Sequence, residues 1–261
     1  MSYRKPLLPH TAFPAPLLDV LAGYLHLLAL GFEPRNITVL GKSAGGHLSL
    51  MLLRYIAELQ LPTPGGLGMM APWCDLTMSF QSYSRHNDFD TLCPRKLAVA
   101  VRSAMRWYTP QAMDEAYFTP AKAGARAWTW LGKGGVRVYI MFGTREMLED
   151  EIRQMVGDMK AAGAEVRVRE VSLSSSWRCS GFWGGQMRRY WCRDGIVLLR
   201  PEGPSAGLSR RSCSTYASQS ASLTTSGSPG VWPTEPRQIL HRAIARAWTI
   251  RRRNHDRRAP S

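Results

Sequence analysis

The apolar positions of the first 171 residues follow two alternating periods. Leu17, Leu18, Leu21, Tyr24, Leu25 and Leu28 recur at helical spacing, which predicts a helix over 17–30, and Gly31 is placed to end it. Asn36 to Leu40 is β-branched and apolar and reads as a short buried strand. From Ala44 to Gln60, positions 44, 48, 51, 52, 55, 56 and 59 form one helical stripe, with Arg54 and Glu58 off it. Pro62 and Pro64 stop that helix. Leu67–Ala71 and Val136–Phe142 read as two further buried strands, and Ala164–Val171, which alternates apolar and charged residues, as a fourth. A helix over 147–162 lies between the last two, with Glu149, Asp150 and Glu151 suited to the positive end of its dipole and Gly163 to its C-terminal cap. Strand–helix–strand order with crossovers of this length predicts an α/β protein with a parallel sheet and flanking helices.

Two stretches fall outside this rhythm. Residues 3–16 hold Pro6, Pro9, Pro14 and Pro16 and are expected to be extended. Residues 73–135 form an irregular insertion, loop-like from Ser79 to Asp90 and helical over 94–108. After Val171 the rhythm stops. Residues 172–230 combine serine runs, scattered Trp and Arg and Gly-Gly pairs with no sustained period. Such a segment has too little apolar pattern to offset ordering entropy, so a disordered tail is expected, with a basic helix over 237–253. The expected domains are therefore 1–172 and 173–261.

Charge divides the chain at the same place. Residues 1–172 carry 19 Lys+Arg against 15 Asp+Glu, whereas 173–261 carry 15 Arg, no lysine and 4 Asp+Glu. The net charge of +15 is therefore mostly a property of the tail. It does not mark the whole chain as a nucleic-acid binder, and no nucleic-acid partner is expected, although the arginines leave weak anion binding open. Cys74, Cys93, Cys179, Cys192 and Cys213 form no C-x-x-C pair, which speaks against a disulfide framework or a zinc site. No metal and no cofactor is expected. The N-terminal residues lack the apolar core of a signal peptide, and the apolar stretch 17–30 is too short to span a bilayer, so a cytoplasmic protein without a membrane span is expected.

The candidate chemistry sits at Gly41-Lys42-Ser43-Ala44-Gly45, which fits G-x-S-x-G between a strand and a helix. In that context the pattern is a nucleophile elbow, a tight turn that lifts a serine oxygen above a parallel sheet. The glycines allow close backbone approach, and the Ala44 N–H is placed as an oxyanion donor. Lys42 reads as a solvated turn residue, His47 as a packed or surface residue one helical turn on, and Cys74 as a small buried residue. His10, His26 and His86 read as structural or exposed.

The chain resembles the hormone-sensitive-lipase-like group of α/β-hydrolases, including its fungal esterase members. The matching segments are His10-Thr11-Ala12-Phe13-Pro14-Ala15 with Asp19, Gly41-Lys42-Ser43-Ala44-Gly45-Gly46, Ala71-Pro72-Trp73-Cys74-Asp75-Leu76-Thr77, and Phe142-Gly143-Thr144-Arg145-Glu146-Met147-Leu148-Glu149-Asp150-Glu151. They lie in the family's order across residues 3–171. The resemblance implies a partial α/β-hydrolase fold with a cap-like insertion and hydrolysis of small carboxylic esters. Ser43 would be the nucleophile, Glu146 the acid, and the backbone of Ala44 and Gly45 part of the oxyanion hole. Residues 75–135, with Phe80, Trp107 and Tyr108, would contribute to the substrate pocket.

Two family features have no counterpart. The His-Gly-Gly-Gly oxyanion loop and its strands lie upstream of anything seen here, which implies an N-terminally truncated chain whose first strand has an open, aggregation-prone edge. The catalytic histidine should closely follow the last strand, yet after Val171 the next histidine is His241, and no base is identified. An inactive hydrolase remnant or interaction protein is therefore the competing expectation. The abrupt change near residue 172 is that of a translated intron or a shifted frame. Inspection of the gene tests this: another frame downstream of codon 172 should encode a histidine-containing family terminus, and its absence refutes the explanation.

Overall fold

The computed structural model describes residues 3–88 and 90–172, together with the backbone of residues 196–199. All of them fall within one unit, Met1–Ser205. Its centre is a sheet of β1 (Thr38–Lys42), β2 (Gly66–Met70), β3 (Arg137–Gly143), β4 (Val166–Val171) and β5 (Ile196–Leu199), in the order β4-β3-β2-β1-β5. The first four strands are parallel, as the strand–helix–strand pattern requires. The expected helices are present as α1 (Ala15–Ala29), α2 (Ala44–Glu58), α4 (Pro94–Ala104) and α6 (Glu149–Ala161). Two short ones, α3 (Ser82–Arg85) and α5 (Thr129–Lys133), complete the set among the described residues.

Four differences from the sequence reading have physical causes. The first strand begins after a 3-10 turn at Pro34–Asn36 and runs to Lys42 rather than stopping at Leu40. Gly41 and Lys42 remain in register with Met69 and Met70, because the glycine serves a close approach inside the strand and not a turn. The loop expected over Ser79–Asp90 contains α3, held by Ser82 against the start of α6. The outer edge of β1 is not open: β5 pairs with it antiparallel, Gly41 opposite Ile196 and Thr38 opposite Leu199. That strand comes from the stretch expected to be disordered. The rest of that stretch, the basic helix over 237–253 and the candidate residues Cys179, Cys192, Cys213 and His241 lie outside the described residues.

Helix α2 is the centre of the core. It packs against α1, β1 and β2, and it buries every residue from Gly45 to Leu53 as well as Tyr55 and Ile56. A single apolar stripe would cover one face; here small residues on the remaining faces let neighbours close in. Ser49, buried on that side, is satisfied by donating to the Gly45 carbonyl at 2.8 Å. Arg54, the polar position in the stripe's gap, leans on three rings, with its guanidinium carbon 5.7, 5.3 and 5.8 Å from the centroids of Tyr117, Trp128 and Trp130. It also donates to the Ala127 carbonyl at 3.2 Å, so it fastens the insertion to α2. A second fastening is the trio Phe13, Tyr108 and Phe118, whose centroids are 5.0–5.6 Å apart. Tyr108, expected in the substrate pocket, thus helps to pack the proline-rich lead-in against the insertion.

Leu52 is fully buried at the middle of α2. Leu52→Ala should lower stability by about 2–5 kcal/mol through lost transfer energy and a residual cavity. Urea unfolding of the variant should show a lower midpoint with an unchanged slope.

Candidate active site

The turn between β1 and α2 carries a non-glycine residue in an unusual conformation: Ser43 has φ 50° and ψ −118°. Its peptide groups are held from three sides. The Ser43 N–H donates to the Met70 carbonyl at 3.0 Å, and its carbonyl accepts from the N–H groups of His47 and Trp73, both at 3.1 Å. A Cβ on Gly41 would collide with the Gly45 carbonyl oxygen, and one on Gly46 would come within 2.8 Å of the Pro72 Cβ. Glycine is therefore needed at 41 and 46 so that strand, helix and the 71–75 loop can meet around the serine. Ser43 is half-buried and Ala44 exposed, so the tip of the turn reaches the surface. The N–H groups of Ala44 and Gly45 belong to the first turn of α2, where helix geometry provides them no partner.

The loop after β2 is built on Asp75. The buried Asp75 carboxylate accepts from the Thr77 N–H at 2.8 Å, the Ser79 N–H at 2.7 Å and the Ser79 hydroxyl at 2.8 Å, and also from the Thr77 hydroxyl. Burial pushes its proton affinity up, but these donors win and hold the acid below the ordinary carboxylate range. The D-x-T spacing could have shown part of this role, since an Asp commonly accepts from the N–H two residues on.

Glu146 lies in the loop between β3 and α6 and is 2% exposed, and its own carbonyl accepts the Glu149 N–H at 3.1 Å. The three acids after it diverge. Glu149 pairs with His86 at 2.9 Å and with Arg153 at 3.0 Å. Asp150 accepts from the Ser82 N–H at 2.9 Å and from Arg85. Glu151 turns inward, is fully buried, and accepts from the Cys74 N–H at 2.6 Å and the Tyr83 hydroxyl at 2.9 Å. Burial raises its proton affinity well above the usual carboxylate range. Reading all three as helix-dipole acids missed this third role.

None of the described histidines bonds to the Ser43 hydroxyl. His10 and His26 are exposed, and His86 is engaged by Glu149. His47 is buried, with Nε2 2.7 Å from the Tyr117 carbonyl, so that nitrogen carries the proton and donates. Cys74 is buried, and burial pushes its thiol far up, as suits a packing residue. Among the described residues, no group of three or more His, Cys, Asp or Glu side chains could hold a metal ion, and no helix is long and apolar enough to cross a membrane.

The chain is similar to known proteins. A family model described as alpha/beta hydrolase fold matches residues 1–173. An acetyl-hydrolase of Streptomyces hygroscopicus is 27% identical over 170 residues, covering 65% of this chain and 53% of that protein. A putative steryl acetyl hydrolase of Schizosaccharomyces pombe, mug81, is 39% identical over 87 residues, 31% of this chain and 22% of its own length. Among solved structures, EstE7, a hormone-sensitive-lipase homologue from a metagenome library, superimposes with a TM-score of 0.56 at 29% identity, covering 65% of this chain and 55% of that one. The chain spans about half the length of the Streptomyces relative and of this structure.

Burial of His47 lowers its pKa to about 4, against which the Tyr117 bond and the Asp75 charge act only in part. Between this value and the ordinary 6.5, the unfolded chain binds a proton that the native one does not. Stability should therefore fall as the pH drops through that window, by up to about tenfold in the folding equilibrium per pH unit. Urea midpoints measured from pH 7 to pH 4 should show this slope, reduced in His47→Gln.

Proposed function

Because the chain belongs to the α/β-hydrolase-fold family, we propose that it is a carboxylic ester hydrolase acting through a serine nucleophile. The observation that carries this reading is the strained Ser43, presented at the tip of a strand-to-helix turn and fixed by three backbone hydrogen bonds. In this reaction the Ser43 oxygen attacks the ester carbonyl carbon while its proton passes to a base. The tetrahedral oxyanion is stabilised by the N–H groups of Ala44 and Gly45 at the positive end of α2. Collapse expels the alcohol, which takes up the proton, and leaves an acyl-Ser43 ester that water then hydrolyses. Glu146 takes the part of the acid that orients the base. The names of the Streptomyces and Schizosaccharomyces relatives favour acetyl esters as the substrate class.

A second reading is an inactive remnant that serves as an interaction protein. It is favoured by the engagement of His47 with the Tyr117 carbonyl and of His86 with Glu149, which leaves neither bonded to Ser43.

Covalent labelling of the full chain by a fluorophosphonate probe distinguishes the two. The hydrolase reading expects labelling of the wild type that is lost in Ser43→Ala, with p-nitrophenyl acetate turnover falling about three orders of magnitude or more. A wild type that is neither labelled nor faster than background overturns it and leaves the second reading.

A further inference from the structure

Glu151 has no part in the reaction as written, yet it is tied to both of its halves. It stands in the first turn of α6, on the element that follows the Glu146 loop. From there one carboxylate oxygen accepts the Cys74 N–H at 2.6 Å and the other accepts the Tyr83 hydroxyl at 2.9 Å. The Tyr83 oxygen in turn accepts the Trp73 indole N–H at 2.9 Å, a donor shared with the Asp75 carbonyl at 3.0 Å. The peptide N–H of the same Trp73 donates to the Ser43 carbonyl at 3.1 Å. Two routes therefore run from Glu151 to the residues that grip the serine, one through backbone and one through side chains. The α3 corner that supplies Tyr83 is also fixed to the Glu146 loop, since the Ser82 hydroxyl donates to the Met147 carbonyl at 2.6 Å and the Met147 N–H to Asp90 at 2.8 Å.

We propose that Glu151 is a positioning residue of the hydrolytic site, fixing the Ser43 turn relative to the Glu146 loop by holding Trp73, Cys74 and Tyr83 to the start of α6. The proposal rests on the hydrolase reading given above. The chemistry of the link calls for a carboxylate. Cys74 can offer only a peptide N–H, and the hydrogen bonds Trp73 to Tyr83 to Glu151 all point the same way, so the chain must end on a group that accepts twice. The groups facing the carboxylate are the Tyr83 phenol, the Cys74 thiol and the Asp75 carboxylate, and among the described residues it has no cationic partner. Burial first, and Asp75 in addition, favour the protonated acid, against the donors that favour the anion. Adding that proton places a donor opposite the Tyr83 oxygen, which then meets two donors while its own hydrogen has no acceptor. The Tyr83 branch of the link loosens, the Trp73 indole keeps its bond to the Asp75 carbonyl, and the support of Trp73 for the serine is weakened.

Glu151→Gln imitates the protonated state at every pH: it keeps the Cys74 bond and the volume but turns an amide donor toward Tyr83. The test follows two signals in the full chain between pH 5 and pH 9, the rate of fluorophosphonate labelling and the tryptophan emission lost in Trp73→Phe. Glu151→Gln should label about tenfold more slowly at the upper end of this range, the equivalent of one hydrogen bond to a charged group. It should also lack the acid limb of the wild-type profile and the pH-dependent step in Trp73 emission. Equal rates with the same acid limb, or an emission step that persists in Glu151→Gln, overturn the proposal. If Glu151→Gln does not unfold cooperatively, Tyr83→Phe serves instead: it keeps the carboxylate and its Cys74 bond, and should slow labelling by a few-fold and shift the limb. No change in either overturns the proposal. A wild type unlabelled at any pH defeats the hydrolase reading and with it the role in hydrolysis. The Trp73 step, present in wild type and absent in Glu151→Gln, then still decides whether the tie exists.

Discussion

Ser43 occupies a backbone conformation that side chains avoid, at a cost of about 1–3 kcal/mol, and its own peptide groups are what hold it there. Its N–H is taken by the end of β2, and its carbonyl is shared between the first turn of α2 and the loop that leaves β2. Each element named can be present only if the others are. The dependence extends one strand further, because Ala71, itself at φ 42°, donates its N–H to the Met141 carbonyl of β3 at 2.7 Å. A strained turn is thus distributed over three adjacent strand ends, which is how a few hydrogen bonds stabilise a conformation that no local preference supports.

The same economy governs the buried acids around the turn. Asp75 is surrounded by donors from its own loop, and Glu151 by donors from two other segments. Asp75 is held by contacts within five residues, so it shapes a loop. Glu151 is held across a long sequence separation, so it joins elements. His47 completes the set as a buried neutral ring whose proton is spent on the Tyr117 carbonyl. Every one of these groups would be costly if left without a partner.

The sequence made the four parallel strands and the long helices legible because their apolar periods are clean, and the turn was legible because G-x-S-x-G falls where those periods change. The failures are equally physical. The close approach expected of the glycines is found at Gly41, which admits the Gly45 carbonyl, but the strand pairing continues through it to Lys42 instead of ending at Leu40. The run Ile196–Leu199 is four residues long within a stretch of no period, and its pairing with β1 is a non-local event that no window of sequence reports. Glu149, Asp150 and Glu151 look alike in sequence. Only the rotation of about 100° per residue along a helix decides that the third points into the core. The turn alone brings Ser43, Ala44 and Gly45 together, whereas the bonds of Tyr83 and Glu151 join segments far apart in sequence.

The contacts that attach the insertion differ in their exposure to ions. Arg85 of the insertion meets Glu149 and Asp150 of α6 at the surface, where dissolved salt screens such pairs over about 10 Å or less. Arg54 is different. Its guanidinium lies against Tyr117, Trp128 and Trp130 and is largely withdrawn from water, which lowers its pKa without removing its charge. Mobile ions do not enter that contact. Rising salt therefore weakens the surface pair between Arg85 and Asp150, while the Arg54 contact with α2 and the buried bonds of Cys74 and Tyr83 to Glu151 stay in place, so a change of medium would loosen the rim of the insertion and leave its inner attachments intact.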